Sequence, residues 1–543
     1  MKYSRGIFAL ALLFLCQCWA CLQAQRVDKY WVRLRDKQGC GYTLDNPSAF
    51  LSQRALERRM NQGISVDSLD LPVSEVYVRT LQEAGLMVQN KSKWLNGVAV
   101  FVPEGTDVSF LDTLDFVVSA QLLETSPLEM PYMGGELPVW SPVRPVTCDE
   151  PYSRAYYGRA YDQIEQLNGV GLHRAGYEGQ GVIIGVCDGG FPGVDTMALL
   201  DTLRAEGRIM ATRDFVWNGD SVYTVHQHGT SVLSLMAGYR PGLFVGTAPR
   251  ATYVLCRTEN TMIETLMEEY NWVAAAEYLD SLGADMITSS LGYFYFDNSG
   301  HDHSLADLDG RTAPMSIAAD IAVTRGMLVL NAAGNDGMSL PQHLGVAADA
   351  EKVLTVGAAT HEGQWAMFSS YGPTADDRVK PDVLALGENV PCANSNGTLG
   401  VASGTSLATP IMAGMMACLW QRFPEWTPAQ LCDSVRAWGH LVSSPEMTAG
   451  YGIPDFGRAL PEEPAVGIEE PMAGISLYPN PAHEYFVVAG TTEGRLTIYD
   501  VMGRVMRAAD CCGRVSTQGL PAGVYFVRIT SAKGCAMRRL VVE

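Results

Sequence analysis

The sequence has few positive charges for its length. Its 543 residues contain 39 Lys and Arg against 59 Asp and Glu, which gives a formal net charge of −20. Proteins that bind the phosphate backbone of nucleic acids need clustered Lys and Arg, and we find no basic stripe with interleaved aromatic residues. Nucleic acid is therefore not an expected partner.

Long apolar runs are also lacking. The apolar run 7–15 follows Lys2 and Arg5 and precedes small residues at 22–25. It is too short to span a bilayer, and no later run is long enough, so no transmembrane helix is expected in the mature chain. This pattern predicts a signal peptide over 1–24, with cleavage after Ala24. Cleavage after Ala20 stays an alternative.

Cysteine is present in modest number: of 13, three lie within the first 21 residues and ten remain. Disulfides are chemically permitted in an exported protein, but the sequence does not reveal the pairing. Cys187 lies in a strongly apolar run, so we expect it to be a buried thiol.

No internal repeat occurs, and shifts in composition divide the chain into parts. Strand-like and helix-like runs mix in the first part, which predicts an α+β domain. The next large part alternates near-continuous apolar strands with helical stretches, which is typical of a doubly wound, mainly parallel α/β sheet covered on both faces. A short tail predicts a small antiparallel β-sandwich. The predicted boundaries are 25–127 for the α+β domain, 128–155 for a proline-rich linker, 156–460 for the α/β domain, 461–473 for a second linker and 474–543 for the sandwich.

Four stretches of the α/β region carry chemically capable residues. Asp188 ends the strand-like run 181–188, where doubly wound sheets form their sites. The others are "HQHGTSVLSLMAG" (226–238), "NAAGNDG" (331–337) and "SGTSLATP" (403–410), which supply His228, Asn335 and Ser406. Together they provide a hydroxyl nucleophile, a base, an acid to orient the base, and an amide donor for an oxyanion.

The stretch around Ser406 is typical of the start of a helix. Backbone N–H groups and the positive end of the helix dipole would then face the reacting oxygen. Gly404 would let backbone approach a substrate closely, and Pro410 is expected to be tolerated in the first turn.

The four stretches, in the order Asp, His, Asn, Ser, resemble those of the subtilisin-like serine proteases (the subtilase family). The resemblance implies that Asp188, His228 and Ser406 form a catalytic triad that hydrolyses peptide bonds through an acyl-enzyme, and that Asn335 stabilises the oxyanion. It further implies a subtilisin-like fold with no required cofactor. The residues expected to bind substrate are Ser290, Leu291, Gly292, Ala333 and Gly334.

The sequence departs from the family at several points. Gly189 follows the acid where Ser or Thr is usual, and the Gly/Ser-rich loop that normally flanks the substrate is absent after "VLCRTEN". Leu407 and Ile411 replace the usual Met and His. These changes leave the subsites remote from the cleaved bond open.

The flanking regions also resemble known parts. Residues 25–127 occupy the place of a subtilase propeptide, which implies a folding helper and inhibitor and hence a self-processed zymogen. The tail, with "YPNP", "IYDVMGR" and "LPAGVYFVRI", resembles the C-terminal sorting domain of the type IX secretion system. This implies passage through the periplasm and outer membrane, the secretion machinery as a partner, and a secreted or cell-surface location.

Other functions remain as alternatives. A pseudoenzyme could keep the fold as a binding surface, and the tail could be a carbohydrate-binding or structural module. A metal-dependent hydrolase could use His226, His228 and an acid, although no third ligand with convincing spacing accompanies them. A structural calcium ion could bind Asp302, Asp307 and Asp309 in the insertion 293–314, for which a solvated acidic loop is the favoured interpretation.

Overall fold

The computed structural model describes residues 26–103, 105–127, 150–460, 475–491, 494–501, 504–510, 513–531 and 534–543. The expected signal peptide 1–24, the linker 461–473 and most of the linker 128–155 lie outside these ranges. The chain divides into one unit up to Ala459 and a second from Leu460 onward. Within the described residues, no helix is both long enough and apolar enough to cross a bilayer.

The N-terminal region is a four-stranded antiparallel sheet with two helices. Its strands run in the order β2-β3-β1-β4. Because strand side chains alternate between faces, β1 sends Val32 and Leu34 toward helix α2 and Trp31 toward the next domain. The elements are β1 (Arg26–Leu34), α1 (Gln53–Asn61), α2 (Glu75–Glu83), β2 (Met87–Ser92), β3 (Gly97–Pro103) and β4 (Val117–Pro127).

A seven-stranded parallel sheet forms the centre of the next region, in the order β13-β12-β11-β10-β5-β9-β6. Every residue of β5 is buried, because both of its faces are covered. The predicted doubly wound α/β fold is thereby confirmed. The strands of the sheet are β5 (Ile183–Asp188), β6 (Ile209–Asp214), β9 (Thr252–Arg257), β10 (Met286–Ser289), β11 (Leu328–Ala332), β12 (Leu354–Ala359) and β13 (Val383–Leu386).

Two short two-stranded sheets and the helices complete this region. The small strands are β7 (Tyr239–Arg240), β8 (Phe244–Val245), β14 (Val390–Ala393) and β15 (Leu399–Ala402). The helices are α3 (Arg154–Tyr157), α4 (Tyr161–Glu165), α5 (Val170–Arg174), α6 (Asp201–Ala205), α7 (His228–Ala237), α8 (Met267–Leu282), α9 (Pro314–Thr324), α10 (Thr405–Arg422) and α11 (Pro428–Ala437).

The order of the strands sets where a site can form. The chain lays β6 and β9 on one side of β5, then crosses to lay β10 and the later strands on the other. Ligands of open α/β sheets bind beyond the carboxyl ends of the strands at such a reversal. Asp188 ends β5 at this point.

Helices α7 and α10 are apolar around most of their circumference, as helices enclosed by protein must be. They contact each other, and α10 also contacts β10 to β13. Each begins with a short polar stretch that holds one of the predicted catalytic residues. The predicted catalytic residues His228 and Ser406 therefore lie at the N-terminal ends of these two helices.

The N-terminal sheet packs against α8 of the α/β domain. Trp31 stacks on Tyr270 with ring centroids 4.4 Å apart. Below this contact, the buried carboxylate of Asp280 binds three cations of the N-terminal region: Arg58 (2.5 Å), Arg59 (2.9 Å) and Lys93 (2.9 Å). The interface thus combines an aromatic contact with a buried charge network.

The second unit is built from two antiparallel sheets, as predicted for the tail, with the orders β16-β17-β20 and β19-β18-β21-β22. Apolar side chains from both sheets form one core. The strands are β16 (Ser476–Tyr478), β17 (Tyr485–Ala489), β18 (Arg495–Tyr499), β19 (Val505–Asp510), β20 (Arg514–Ser516), β21 (Gly523–Ser531) and β22 (Gly534–Val542).

The cysteines whose state the structure describes are free thiols, and all of them are buried. Cys187 is 0% exposed in β5, which confirms the prediction for this residue. The hydrogen bond with Cys256 on the neighbouring strand raises the pKa of the Cys187 thiol, and burial raises it further. The described thiols are Cys40, Cys187, Cys256, Cys392, Cys418 and Cys432.

Candidate active site

The carboxylate of Asp188 and the imidazole of His228 meet beyond the end of β5. Both Asp188 carboxylate oxygens lie 3.0 Å from Nδ1 of His228, the first residue of α7. The Asp188 side chain is fully buried, while that of His228 is 28% exposed. The acid therefore holds Nδ1 and leaves Nε2 for the cleft.

The Asp188 charge changes the basicity of the imidazole. Burial alone would lower the pKa of His228, but attraction to Asp188 and the hydrogen bond with it more than compensate, with a smaller contribution from Glu259. The pKa of His228 is raised to about 9. An imidazole in this setting is a strong base once it has lost its proton.

Ser406 lies in the first turn of α10, as the sequence predicts, but Pro410 does not. The helix begins at Thr405, so Pro410 is its sixth residue and lies inside it. Proline has no N–H to donate to the carbonyl four residues earlier, which belongs to Ser406. The Ser290 hydroxyl donates to that carbonyl instead (2.8 Å). The prediction that Pro410 lies in the first turn was wrong. Its position inside the helix leaves the Ser406 carbonyl free to accept the hydrogen bond from Ser290.

Asn335 presents its amide nitrogen to the same site. Its side-chain oxygen accepts from the Thr405 N–H (2.9 Å) and contacts the Thr405 hydroxyl (3.1 Å), which fixes the orientation of the amide. A Cβ built on Gly404 would lie 3.0 Å from the Ser406 hydroxyl and 3.8 Å from Asn335 Nδ2. A hydroxyl and an amide donor therefore border the same small space, which only glycine at 404 keeps open.

A cleft of about 520 Å³ contains His228, Asn335 and Ser406 together. Four of the five residues predicted to bind substrate line it: Ser290, Leu291, Gly292 and Gly334. Ala333 does not, because it is 0% exposed in the core. Ala332, at the end of β11, lines the cleft instead. One step along an extended chain turns a side chain to the opposite face.

Several cleft residues were missed by sequence reasoning. Glu259 and Glu264 follow β9, the strand beside β5, and only their place beyond a strand end could have indicated them. Tyr293, Phe294 and Tyr295 follow the predicted substrate segment directly, but their apolar character resembles ordinary core. The remaining members are His226, Thr261, Asp336, His343, Gly345 and Thr405.

The two histidines lie next to each other beside the cleft. The ring nitrogen of His226 accepts the His228 backbone N–H at 3.4 Å, and the ring centroids are 6.2 Å apart. Within the described ranges, the group with metal-like convergence is Glu259, Glu264 and Glu268, and it contains no histidine.

The aspartates of the insertion 293–314 are held by nearby groups. Asp302 accepts from the Phe296 N–H (2.7 Å), Asp307 from Ser304, and Asp309 from the N–H groups of Arg311 and Thr312. Each carboxylate stabilises a turn of its own loop. The expectation of a calcium ion at this loop is not tested by these contacts.

Three family models match separate parts of the chain. Residues 179–442 match the subtilase family (peptidase S8), and residues 29–131 match the peptidase S8 propeptide domain of Bacteroidota. Residues 476–543 match the secretion system C-terminal sorting domain. The sorting domain indicates export, so the protein is secreted or located at the cell surface.

Curated relatives resemble the middle of the chain. Subtilisin NAT of Bacillus subtilis subsp. natto is 30% identical over 278 residues, which is 50% of this chain and 64% of that protein. Subtilisin of Bacillus pumilus is 29% identical over 285 residues, covering 52% of this chain and 92% of that protein. The match thus spans slightly less than two thirds of the first of these relatives.

A solved structure shows the same fold. It is the crystal structure of the epidermin leader peptide processing serine protease (EpiP) from Staphylococcus aureus. The TM-score is 0.53 at 16% identity, and the alignment covers 80% of this chain and 97% of that one.

Proposed function

We propose that this chain, which carries a subtilase-family domain between a peptidase S8 propeptide domain and a secretion sorting domain, is a secreted serine endopeptidase made as a self-processed zymogen. The observation that carries the proposal is the pairing of both Asp188 oxygens with His228 Nδ1 at 3.0 Å, in one cleft with Ser406 and Asn335. This constellation activates a hydroxyl toward a carbonyl group.

Acylation uses the four residues together. Ser406 Oγ bonds to the carbonyl carbon of the substrate while its proton passes to His228 Nε2. The charge that develops on the carbonyl oxygen is stabilised by Asn335 Nδ2 and the Ser406 backbone N–H. When the C–N bond breaks, His228 gives the proton to the leaving nitrogen, and the acyl group stays on Ser406 as an ester.

Deacylation repeats these steps with water. His228 takes a proton from the attacking water, whose oxygen bonds to the ester carbon. The bond to Ser406 Oγ then breaks, and the proton returns from His228 to Oγ. Asp188 keeps its negative charge throughout and stabilises the imidazolium that forms twice in each cycle.

The N-terminal region acts as the propeptide. Its sheet covers α8, and backbone N–H groups of Lys93 and Trp94 donate to the buried Glu277 carboxylate at 2.7 and 2.9 Å. β4 also reaches the cleft region, since Glu124 accepts from the Thr265 hydroxyl at 3.0 Å. The resemblance to subtilase propeptides also implies a tail that lies in the active site, but residues 128–149, which follow β4, lie outside the described ranges.

The experiment that tests this function compares Ser406→Ala with Ser403→Ala. Ser403 lies nearby on the surface and accepts a backbone N–H from Asn389, so its loss removes a hydroxyl without touching the cleft. The parent and Ser403→Ala proteins should cleave peptides and react with a serine-directed phosphonate at Ser406. Ser406→Ala should do neither.

The same pair of variants tests maturation. Ser406→Ala should keep its propeptide covalently attached, as intact mass would show, whereas Ser403→Ala should lose it. Normal processing of purified Ser406→Ala would mean that another protease performs the step. Full peptidase activity in Ser406→Ala would overturn the proposal as a whole.

Export supplies the remaining part of the proposal. The signal peptide directs the chain into the periplasm, and the tail unit is then recognised by the type IX machinery for passage through the outer membrane. Deletion of 474–543 should leave the protein in the periplasm, and its appearance outside the cell without the tail would refute this route.

A further inference from the structure

One wall of the active-site cleft is made of carboxylates that the triad chemistry does not use. Glu259 and Glu264 line the cleft together with His228, and the buried Glu268 is near both of them. One oxygen from each of these three side chains lies within 4.8 Å of the others. We call this group, Glu259, Glu264 and Glu268, the acidic wall.

The charge of the acidic wall is incompletely balanced: His228 and Arg257 favour ionisation of Glu259, but burial and repulsion from Asp188 and Glu264 outweigh them. In the part of the chain that the structure describes, no Lys or Arg forms an ion pair with its members. Arg257 lies beside Asp188 on the neighbouring strand, but its guanidinium binds Asp214 at 3.0 Å. Burial, with repulsion from Asp188 and Glu264, raises the pKa of Glu259 to about 8, and burial, with repulsion from Asp297, raises the pKa of Glu264 to about 7. Ionised carboxylates held this close need a positive charge.

Gly189 makes room for this wall. A Cβ on Gly189 would lie 2.7 Å from the Glu259 carboxylate and 2.7 Å from the Thr261 methyl group. The Ser or Thr that is usual after the acid could not fit unless Glu259 moved. Gly189, where the family usually has Ser or Thr, and the unusual segment after β9 therefore go together. Glycine at 189 lets the Glu259 carboxylate lie close to Asp188 and His228.

Tyr293 supplies independent evidence of an absent ligand. Tyr293 is 1% exposed, yet its hydroxyl has no hydrogen-bond partner among the residues that the structure describes. Tyr293 lines the same cleft and follows Gly292 in the segment predicted to pair with substrate. Burial raises the pKa of this phenol, and the charges of Glu268, Glu259 and Glu264 raise it further. A buried hydroxyl is costly without a partner.

We infer that the acidic wall and Tyr293 form a substrate subsite for a positively charged side chain, Lys or Arg, on the acyl side of the cleaved bond. The cation would lie between the Glu259 and Glu264 carboxylates, and Tyr293 Oη would accept one of its N–H groups. This inference rests on the proposed function, since it names the substrate class of that same cleft.

A peptide side chain fits these observations better than a resident metal ion. Glu268 already accepts the N–H groups of Asn260 and Thr265 at 2.6 and 2.8 Å, so much of its capacity is used. The two members that remain, Glu259 and Glu264, are the ones that line the open cleft. They share this cleft with Ser290, Leu291 and Gly292, along which a substrate chain is expected to bind.

The experiment uses pairs of peptides that differ only in Lys or its neutral isostere norleucine at each acyl-side position. The parent enzyme should show a kcat/KM at least about tenfold higher for Lys at one of these positions, as expected for a charge-assisted hydrogen bond. Glu259→Gln plus Glu264→Gln should bring that ratio to within about threefold of one, with both peptides measured on the same enzyme at the same pH. Glu446→Gln, an exposed glutamate elsewhere, is the matched control and should keep the parental ratio.

Binding to Ser406→Ala separates this inference from the proposed function. Calorimetry should show the Lys peptide binding more tightly than the norleucine peptide, and the added glutamine substitutions should remove that difference. If no peptide is cleaved but this difference is found, the proteolytic function fails and the subsite stands. Equal binding or a preference that survives the double substitution overturns the subsite. The subsite is also overturned if Ca²⁺ or Mg²⁺ alone stabilises the protein and the double substitution removes that stabilisation.

Discussion

Substitution of Asp280 by Asn should release the propeptide domain. Asp280 is 0% exposed, and its carboxylate binds Arg58, Arg59 and Lys93 across the interface between the N-terminal region and α8. Asparagine has nearly the same shape but no charge. The three cations would stay buried without their common partner.

The magnitude follows from the pKa of this carboxyl. Burial opposes ionisation, but the three cations and the hydrogen bond with Arg59 lower the pKa of Asp280 from 3.8 to about 2. That difference corresponds to about 2 to 3 kcal/mol in favour of the charged form. Breaking a buried ion pair by removing one partner costs about 3 to 5 kcal/mol. We therefore expect Asp280→Asn to weaken propeptide docking by roughly 100-fold.

The assay needs a propeptide held only by non-covalent contacts. A recognition site for an unrelated protease can be placed in the linker 128–155, cut, and the two pieces followed by gel filtration over a dilution series. Asp201→Asn is the matched control, because Asp201 is an exposed acid paired with Arg204 within its own helix. If Asp280→Asn dissociates at the same dilution as the parent, the buried network does not hold the interface.

The sign of the pH dependence gives a second check on the same residue. A depressed pKa means that the stabilisation is present above pH 4 and is lost as the pH falls from about 4 to about 2. The parent complex should therefore dissociate more readily in that window than at pH 5. The Asp280→Asn complex should lack the part of this acid dissociation that comes from protonation of Asp280. A parent and variant with identical acid profiles would contradict the assignment.

Three further predictions concern the cleft and the interface. Asn335→Ala should lower kcat by about 10²- to 10³-fold with little change in KM, the loss known for the equivalent donor in a subtilisin, and an unchanged kcat would exclude Asn335 from the oxyanion site. Because only the neutral His228 can act as a base and its pKa is about 9, kcat/KM should rise with pH and level off only near pH 9, whereas a profile flat from pH 6 to 9 would contradict that role. Burial raises the pKa of Glu277 to about 7, so its contribution to docking should be lost as the pH rises from about 4.5 through 7, and Glu277→Gln should remove this loss in the gel-filtration assay.

The strands of the central sheet were predictable where they are buried on both faces. The runs that became β5, β9, β10, β11 and β12 are short and almost continuously apolar, which is typical of parallel strands that helices cover on both sides. The apolar pattern of the sequence does not reveal β6 and β13, which form the two edges of the sheet. β6 is only partly buried, with Met210 45% exposed, and β13 is four residues long.

The convergence of the proposed catalytic residues was predictable for a different reason. Asp188, His228, Asn335 and Ser406 each follow a strand or begin a helix, and the chemistry they share restricts how they can be combined. Ala333 was misplaced by one residue because small neighbouring residues look alike in sequence while their side chains face opposite sides. The predicted position of Pro410 was also wrong, because the start of α10 depends on the loop before it rather than on the proline.

The acidic wall could not be predicted because each of its parts has an ordinary interpretation. A glutamate after a strand is usually solvated, and a tyrosine within an aromatic run is usually core. Their significance comes from the parallel order β10-β5-β9, which brings three chain segments to one edge of the sheet. There, the missing Cβ of Gly189 admits the Glu259 carboxylate beside the catalytic pair.

The position of Glu259 couples basicity at His228 to occupancy of the cleft. Its negative charge contributes to the raised pKa of His228, so it slows proton loss from the imidazole in the empty enzyme. A substrate cation bound to Glu259 would offset that charge and lower the pKa of the base at the moment when its neutral form is needed. The apparent pKa of kcat for a Lys peptide should then fall below that of kcat/KM, and Glu259→Gln should bring the two values together. If kcat and kcat/KM of the parent enzyme gave the same apparent pKa for the Lys peptide, binding of the substrate cation would not change the pKa of His228.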